Sequence, residues 1–122
     1  MNNPHSTADV ARVEALRDLV QHRTSVDDAT RALARFPFDS DDELVPLTRA
    51  DAVHLLDQYL RGLAAADEVR RWAEALEVRD DVGREPGFED TLNELLFELA
   101  TPEAAGPLTT DAGQSWVTRL TS

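Results

Sequence analysis

The chain has 122 residues, no cysteine and a formal net charge of −12, which arises from 24 Asp and Glu against 12 basic residues that are all Arg. The lack of cysteine excludes disulfides, thiolate metal sites and cysteine nucleophiles, and the acidity disfavours direct binding to nucleic acid or to an anionic membrane. No apolar run reaches the ~18–20 residues of a membrane span, and residues 1–10 lack the features of a secretion signal. We therefore expect a cytoplasmic protein with a basic protein as its partner.

The spacing of apolar residues is helical almost throughout the chain. It predicts an all-α fold, a single domain over residues 1–122 that forms a compact bundle of about six short helices. This domain comprises an amino-terminal helix pair (1–36), an acidic linker (37–47) and a four-helix part (48–122). No segment alternates with period two for long enough to predict a strand.

The amino-terminal pair consists of one longer and one shorter helix. The first is predicted from about Thr7 to His22 with Ser6 or Thr7 as its cap, and the second follows Ser25 and stops at Pro37, which cannot continue a helix. The residues predicted to face the core are Val10, Val13, Leu16, Leu19 and Val20 in the first helix and Val26, Ala29, Leu33 and Phe36 in the second.

Four further helices are predicted in the remainder of the chain. They run from Thr48 to Gly62, from about Ala65 to Val78, from Phe88 to Ala100 and from Thr110 to Leu120. A loop is predicted over 79–87, and Pro102, Gly106 and Pro107 are predicted to interrupt helical structure. Their predicted core residues are Ala52, Val53, Leu56, Tyr59 and Leu60; Val69, Trp72, Ala73 and Leu76; Phe88, Leu92, Leu95, Leu96 and Leu99; and Ala112, Trp116, Val117 and Leu120.

Acidity is concentrated around the fifth predicted helix, since ten carboxylates and two arginines lie between Glu74 and Glu103. Three carboxylates recur every four residues opposite its leucine stripe, with Phe97 beside them. Like charges at this spacing destabilise a helix, and an aromatic ring among them is typical of a binding hot spot. The alternative is that another helix covers Phe97 and that the carboxylates only keep the surface soluble. The predicted partner-binding residues are Asp80, Asp81, Glu85, Asp90, Glu94, Phe97 and Glu98.

The sequence predicts no catalytic, cofactor or metal site, and we expect that the protein is not an enzyme. The histidines His5, His22 and His54 form neither a helical His pair nor the His–Glu spacing of metallohydrolases. The acidic run from Asp39 to Glu43 fails the calcium-loop spacing, because Leu44 stands where glycine is required. Solvated loop acids are the favoured interpretation of this run, with a partner contact or a bound cation left open.

One segment resembles a known family. The run Leu55-Leu56-Asp57-Gln58-Tyr59-Leu60-Arg61-Gly62, continuing to Glu68, Trp72 and Ala73, is similar to the helix–Gly–helix segment of colicin-type bacterial immunity proteins, which are small, acidic and helical. The resemblance covers about twenty of the 122 residues and assigns no residue roles. It implies an inhibitor that docks on a basic toxin or nuclease. The alternatives are a DNA mimic, or a regulatory or adaptor protein that uses Trp116, Phe97 and Phe38 as an apolar interface.

Overall fold

The computed structural model describes residues 7–122, with side chains from residue 10. These residues form seven helices and two short strands, so the predicted all-α bundle is confirmed in its helical character. The predicted cap Ser6 and the histidine His5 lie outside the described residues. The elements are α1 (Thr7–Val20), α2 (Val26–Leu33), β1 (Val45–Leu47), α3 (Arg49–Leu60), α4 (Ala66–Glu77), β2 (Val82–Arg84), α5 (Glu89–Ala100), α6 (Pro102–Ala105) and α7 (Thr110–Thr121).

Three helices begin at side-chain caps. Ser25 Oγ accepts a hydrogen bond from the backbone N–H of Asp28 at 3.1 Å. Thr48 and Asp51 cap α3 reciprocally, each side chain accepting from the other's backbone N–H, and Thr109 caps α7 in the same way as Ser25 caps α2. Because each cap satisfies N–H groups that have no partner within the helix, it fixes where the helix starts.

The core lies where α4 meets α1, α2 and α5, while α7 packs mainly on α3. Trp72 is at its centre, only 1% exposed, and its indole Nε1 donates to the carbonyl oxygen of Leu19 at 3.0 Å. All four core residues predicted for α4 are buried. The largest fully buried side chains are Trp72, Leu16, Leu19, Leu33, Leu47, Leu55, Leu56, Leu76, Leu92, Leu95, Leu96 and Val20.

The expectation that the chain contains no strand is wrong, because β1 and β2 pair as a parallel two-stranded sheet. Their register places Val45 opposite Val82, Pro46 opposite Gly83 and Leu47 opposite Arg84. The backbone oxygen of Asp81 accepts from the N–H of Val45, and Leu47 accepts from the N–H of Glu85. Three residues are too few to show a period of two, so the linker 37–47 and the loop 79–87 both appeared irregular in the sequence.

Two further details differ from the predictions. Val10 was expected in the core but is 53% exposed, since α1 buries only its second half, from Ala15 onward. The short helix α6 occupies Pro102–Ala105, where the sequence predicted an interruption of helical structure. Proline is compatible with the first turn of a helix, where its missing N–H has no helical partner in any case. In the described part of the chain, no helix is both long and apolar enough to cross a bilayer.

Candidate functional site

The outward side of α5 carries an exposed aromatic ring among carboxylates. Phe97 is 52% exposed, and Asp90 and Glu94 are exposed on the same helix. Residues three, four and seven apart share one side of a helix, which places these three side chains in one row. The alternative in which another helix covers Phe97 is therefore wrong.

Glu94 is compensated by an arginine from α7. Arg119 Nη1 lies 2.8 Å from Glu94 Oε2, and Arg119 Nη2 lies 2.9 Å from Oε1, so the pair is bidentate. The hydrogen bond from Arg119 holds the pKa of Glu94 below its ordinary value. Both side chains are about half exposed, and solvent weakens such a pair. Because 25 positions separate the two residues, the sequence did not indicate this pairing.

Glu98 is also engaged by α7. The indole Nε1 of Trp116 donates to Glu98 Oε2 at 2.9 Å, and Trp116 itself is almost fully buried. The Arg119 guanidinium carbon lies 4.5 Å from the Trp116 ring centroid, within the range of a cation–π interaction. Of the three carboxylates in the row on α5, Asp90 therefore has no ion pair within residues 7–122. Glu94 and Glu98 are each engaged by a side chain of α7.

Asp81 does not lie on the outer surface, so the prediction that it extends the acidic face is wrong. Its side chain is 0% exposed and forms a buried ion-pair cluster with two arginines, Arg12 and Arg79. Arg79 Nε and Nη2 each lie 2.9 Å from one Asp81 oxygen, and Arg12 Nε donates to Oδ2 at 3.0 Å. A buried carboxylate requires such partners, and the cluster joins α1 to the start of β2.

Glu85 is also paired with an arginine, Arg49. It accepts from the backbone N–H of Arg49 at 2.9 Å and from Arg49 Nε and Nη2 at 3.2 and 3.0 Å. The side-chain hydrogen bond is the main reason why the pKa of Glu85 lies below its ordinary value. The Arg49 guanidinium also lies over the Phe88 ring, 3.6 Å from the centroid. Glu85 thus links the end of the sheet to the first turn of α3.

A second group of exposed acids, the acidic loop (residues 38–43), lies beside Asp80. Its aromatic residue Phe38 is 58% exposed, and the Phe38 carbonyl accepts from the N–H of Asp80 at 2.9 Å. Asp80 is itself exposed. Within residues 7–122, neither Asp80 nor any carboxylate of the loop forms an ion pair. The loop carboxylates are Asp39, Asp41, Asp42 and Glu43.

Arg84 connects the acidic loop with α5. Its Nε donates to Asn93 Oδ1 on α5 at 2.8 Å. Burial lowers the pKa of Arg84, while the nearby charges of Glu43 and Glu77 act in the opposite direction. Glu43 also covers β2, because a Cβ at position 83 would collide with its carboxylate. We therefore treat the acidic loop, Asp80 and the outward side of α5 as one surface, named the acidic surface: Phe38, Asp39, Asp41, Asp42, Glu43, Asp80, Asp90 and Phe97.

Of the two histidines in the described region, His22 takes part in a structural contact and His54 is exposed. His22 Nε2 lies 2.8 Å from Glu68 Oε2, the same oxygen that accepts from the N–H of Val26 at 2.8 Å. Asp57 pairs with Arg61 at 2.9 Å, and His54 is exposed beside an open groove of about 640 Å³ between α3 and α7. Among residues 7–122, no three His, Asp or Glu side chains are grouped as metal ligands.

Sequence reasoning identified three exposed members of the acidic surface, Asp80, Asp90 and Phe97, and left Phe38 among the residues of an alternative function. The available signal was an aromatic residue directly before the run Asp39–Glu43. Comparison with protein-family models, with curated proteins and with solved structures found no match. Function is therefore inferred from the geometry of the surface.

Proposed function

We propose that the chain is a small cytoplasmic protein-binding module, without catalytic activity, that docks its acidic surface on a basic protein. The observation that carries the proposal is the exposure of Phe97, at 52%, about two helical turns along the same side of α5 from Asp90, whose carboxylate has no ion pair within residues 7–122. An aromatic ring gains most from burial against a partner, and hot spots are enriched in such anchors surrounded by polar groups.

The distribution of ion pairs supports this choice of surface. On α4, Arg70 lies 2.6 Å from Asp67 and 2.9 Å from Glu74, so the carboxylates there are balanced within the helix. On the acidic surface, by contrast, no carboxylate forms an ion pair within residues 7–122, although Arg12, Arg79 and Arg84 lie close to it. Opposite charge on a partner accelerates encounter and discriminates against neutral or acidic proteins.

The resemblance to colicin-type immunity proteins gives this proposal its specific form, an inhibitor of a basic toxin or nuclease. The cleft of a nuclease is positively charged because it binds phosphates, and an acidic module bound there would exclude the nucleic acid. The DNA-mimic alternative is less favoured, since Glu94 and Glu98 are engaged by α7 and only Asp90 of the three carboxylates in the row on α5 has no ion pair or side-chain hydrogen bond to α7.

Affinity capture from the native host, followed by binding measurements with the purified partner, tests the proposal. We expect a partner rich in Lys and Arg whose affinity falls steeply with salt. Phe97→Ala should weaken binding by about 30-fold, as truncation of a hot spot does, and Asp90→Asn should weaken it less. If the partner is a nuclease, one equivalent of the protein should abolish its activity.

Matched controls are available on other parts of the molecule. Glu74→Gln removes one exposed carboxylate that is paired within α4. Leu63→Ala removes an apolar side chain that is 68% exposed in the connection between α3 and α4, at the end of α4 opposite to Asp80. Neither control should change the affinity. A partner that binds equally well in high salt, and that is indifferent to Phe97→Ala, would show that the proposal is wrong.

A further inference from the structure

Phe38 is the more exposed of the two aromatic residues of the acidic surface. Its side chain is 58% exposed, compared with 52% for Phe97. Phe36, two residues earlier, packs against the core and is half-buried. The core contact of this segment is therefore made by Phe36 and not by Phe38. Folding does not need an exposed aromatic side chain at this position, whereas binding hot spots are enriched in aromatic anchors surrounded by polar groups.

The backbone on both sides of Phe38 is fixed by the buried ion-pair cluster. Arg12 Nη2 donates to the carbonyl oxygens of Pro37 and Asp39 at 3.1 and 3.3 Å. Arg79 Nη2 donates to the Pro37 oxygen at 3.2 Å, and its guanidinium carbon lies 5.2 Å from the Phe38 ring centroid. The Phe38 oxygen accepts from the backbone N–H of Asp80. The three consecutive backbone carbonyls of residues 37–39 therefore all accept hydrogen bonds.

This rigidity matters for binding because an ordered loop loses little conformational entropy when a partner binds. The two arginines that hold the loop form their ion pairs with buried Asp81, and neither forms one with a carboxylate of the loop. Two guanidinium groups against one carboxylate leave the cluster with one positive charge, which the five carboxylates of the loop and Asp80 outnumber. The ring therefore stands on an ordered backbone among an excess of negative charge.

We propose that Phe38 is a second anchor of the acidic surface and inserts into an apolar pocket of the partner that is rimmed by Arg or Lys. This inference rests on the proposed function, because it takes the partner to be the basic protein that meets Phe97. The ring fills the apolar pocket, while the carboxylates of Asp39, Asp41 and Asp80 attract the basic side chains that surround it. A second copy of this chain does not fit, since it would bring another net charge of −12 to the same surface.

Site-specific photo-crosslinking in the native host tests the inference. Replacement of Phe38 by p-benzoylphenylalanine, in the full chain, should yield a crosslink to the same basic protein as the equivalent replacement of Phe97. The matched control is the same replacement at Leu63, which is more exposed than either ring and should yield no crosslink to that protein. Each probe molecule keeps an aromatic ring at an exposed position, so folding should be retained and is checked by thermal unfolding.

The outcomes separate the two proposals. A crosslink from position 97 without one from position 38 would overturn the second anchor and leave the proposed function standing. A crosslink to nucleic acid, to lipid or to another copy of this chain from position 38 would also overturn the second anchor. If neither position captures a basic protein, both proposals fail.

The purified partner then provides a quantitative test. Phe38→Ala should weaken binding about 30-fold and mainly accelerate dissociation, whereas Leu63→Ala should leave the affinity unchanged. Asp41→Asn should mainly slow association at low salt, as expected for a charge at the rim. An affinity unchanged within twofold for Phe38→Ala would overturn the second anchor, whatever the effect of Phe97→Ala.

Discussion

Arg12 and Asp81 are 69 positions apart in the chain, yet Arg12 Nη2 lies 2.9 Å from Asp81 Oδ2. Arg79 completes the cluster from the other side, and all three side chains are largely withdrawn from solvent. Because the same arginines bond to the carbonyls of Pro37 and Asp39, one buried carboxylate orders the loop that presents Phe38. Stability and the candidate binding surface are coupled at this point.

The first prediction concerns that carboxylate. Asp81→Ala leaves two guanidinium groups without their counter-charge in the interior, and breaking a buried pair in this way costs about 3–5 kcal/mol. Urea unfolding should show the loss as a lower midpoint. The neighbouring Asp80→Ala is the control, since Asp80 is exposed and its backbone hydrogen bond to Phe38 is retained. A loss for Asp81→Ala no larger than that of the control would contradict the structural role of the cluster.

The second prediction concerns Trp72, which is fully buried. Trp72→Ala should destabilise the fold by ~3–5 kcal/mol, because it removes a large core side chain and leaves a cavity. Trp72→Phe retains most of the ring but leaves the Leu19 carbonyl without its indole donor, so it should cost less. Chemical denaturation measures both, and a surface-like loss below ~0.5 kcal/mol for Trp72→Ala would refute the position of α4 in the core.

The third prediction concerns acid stability. The pKa values of Glu85 and Glu94 are lowered by their arginine partners in the folded state. Their contribution to stability is therefore complete above the ordinary glutamate pKa of about 4.3 and is lost as pH falls from there through the lowered values. Melting temperatures from pH 7 to pH 3 should fall less steeply in the double variant Glu85→Gln/Glu94→Gln than in the parent.

Glu77 offers a control of opposite sign. Glu77 is exposed, but the partial desolvation of its carboxyl group, as the largest cause, raises its pKa above the ordinary value. The folded state therefore binds this proton more readily than the unfolded state and is favoured as pH falls. Glu77→Gln should therefore raise the melting temperature at pH 7, with a gain that shrinks toward pH 4. A parallel response of Glu77→Gln and the double variant would contradict the assignment of these environments.

The fourth prediction compares two neighbours on α5. Phe97→Ala should change the free energy of unfolding by less than about 1 kcal/mol, because the ring is already half in solvent. Leu96→Ala removes a fully buried side chain and should cost about 2–5 kcal/mol. Thermal and urea unfolding give both values. Equal losses at the two positions would show that Phe97 belongs to the core and not to a docking surface.

Local signals sufficed to predict most of the helical architecture. The caps at Ser25 and Thr48 and the apolar stripe of α4 lie within a few residues of one another, and the structure confirms them. The angular position of Phe97 on α5, opposite the leucine stripe, left open whether another helix covers the ring, and the structure shows that it is exposed. These features depend on helical period and on capping chemistry, which short stretches of sequence carry.

The rest depends on contacts between distant segments. The acidic residues Asp81, Glu85 and Glu94 look alike in the sequence, yet they pair with arginines from different parts of the fold. Asp81 pairs with Arg12 of α1 and Arg79 of the α4–β2 connection, Glu85 with the first turn of α3, and Glu94 with α7. The two strands pair only because the fold brings residues 45–47 to residues 82–84. A local sequence pattern does not indicate contacts between segments so far apart in the chain. Which of the acidic residues are paired with arginine and which are free could therefore be learned only from the three-dimensional structure.

Pro46 limits how this protein can associate with others. The backbone of Val45 and Leu47 is bonded to the β2 side, so the central residue of β1, exposed Pro46, faces the sheet's outer margin. Proline offers no N–H there, so the centre of β1 lacks the donor that an added strand would pair with at this edge. Edge-to-edge association along β1 is resisted for the same reason, and a partner that approaches this edge must be recognised mainly by side chains.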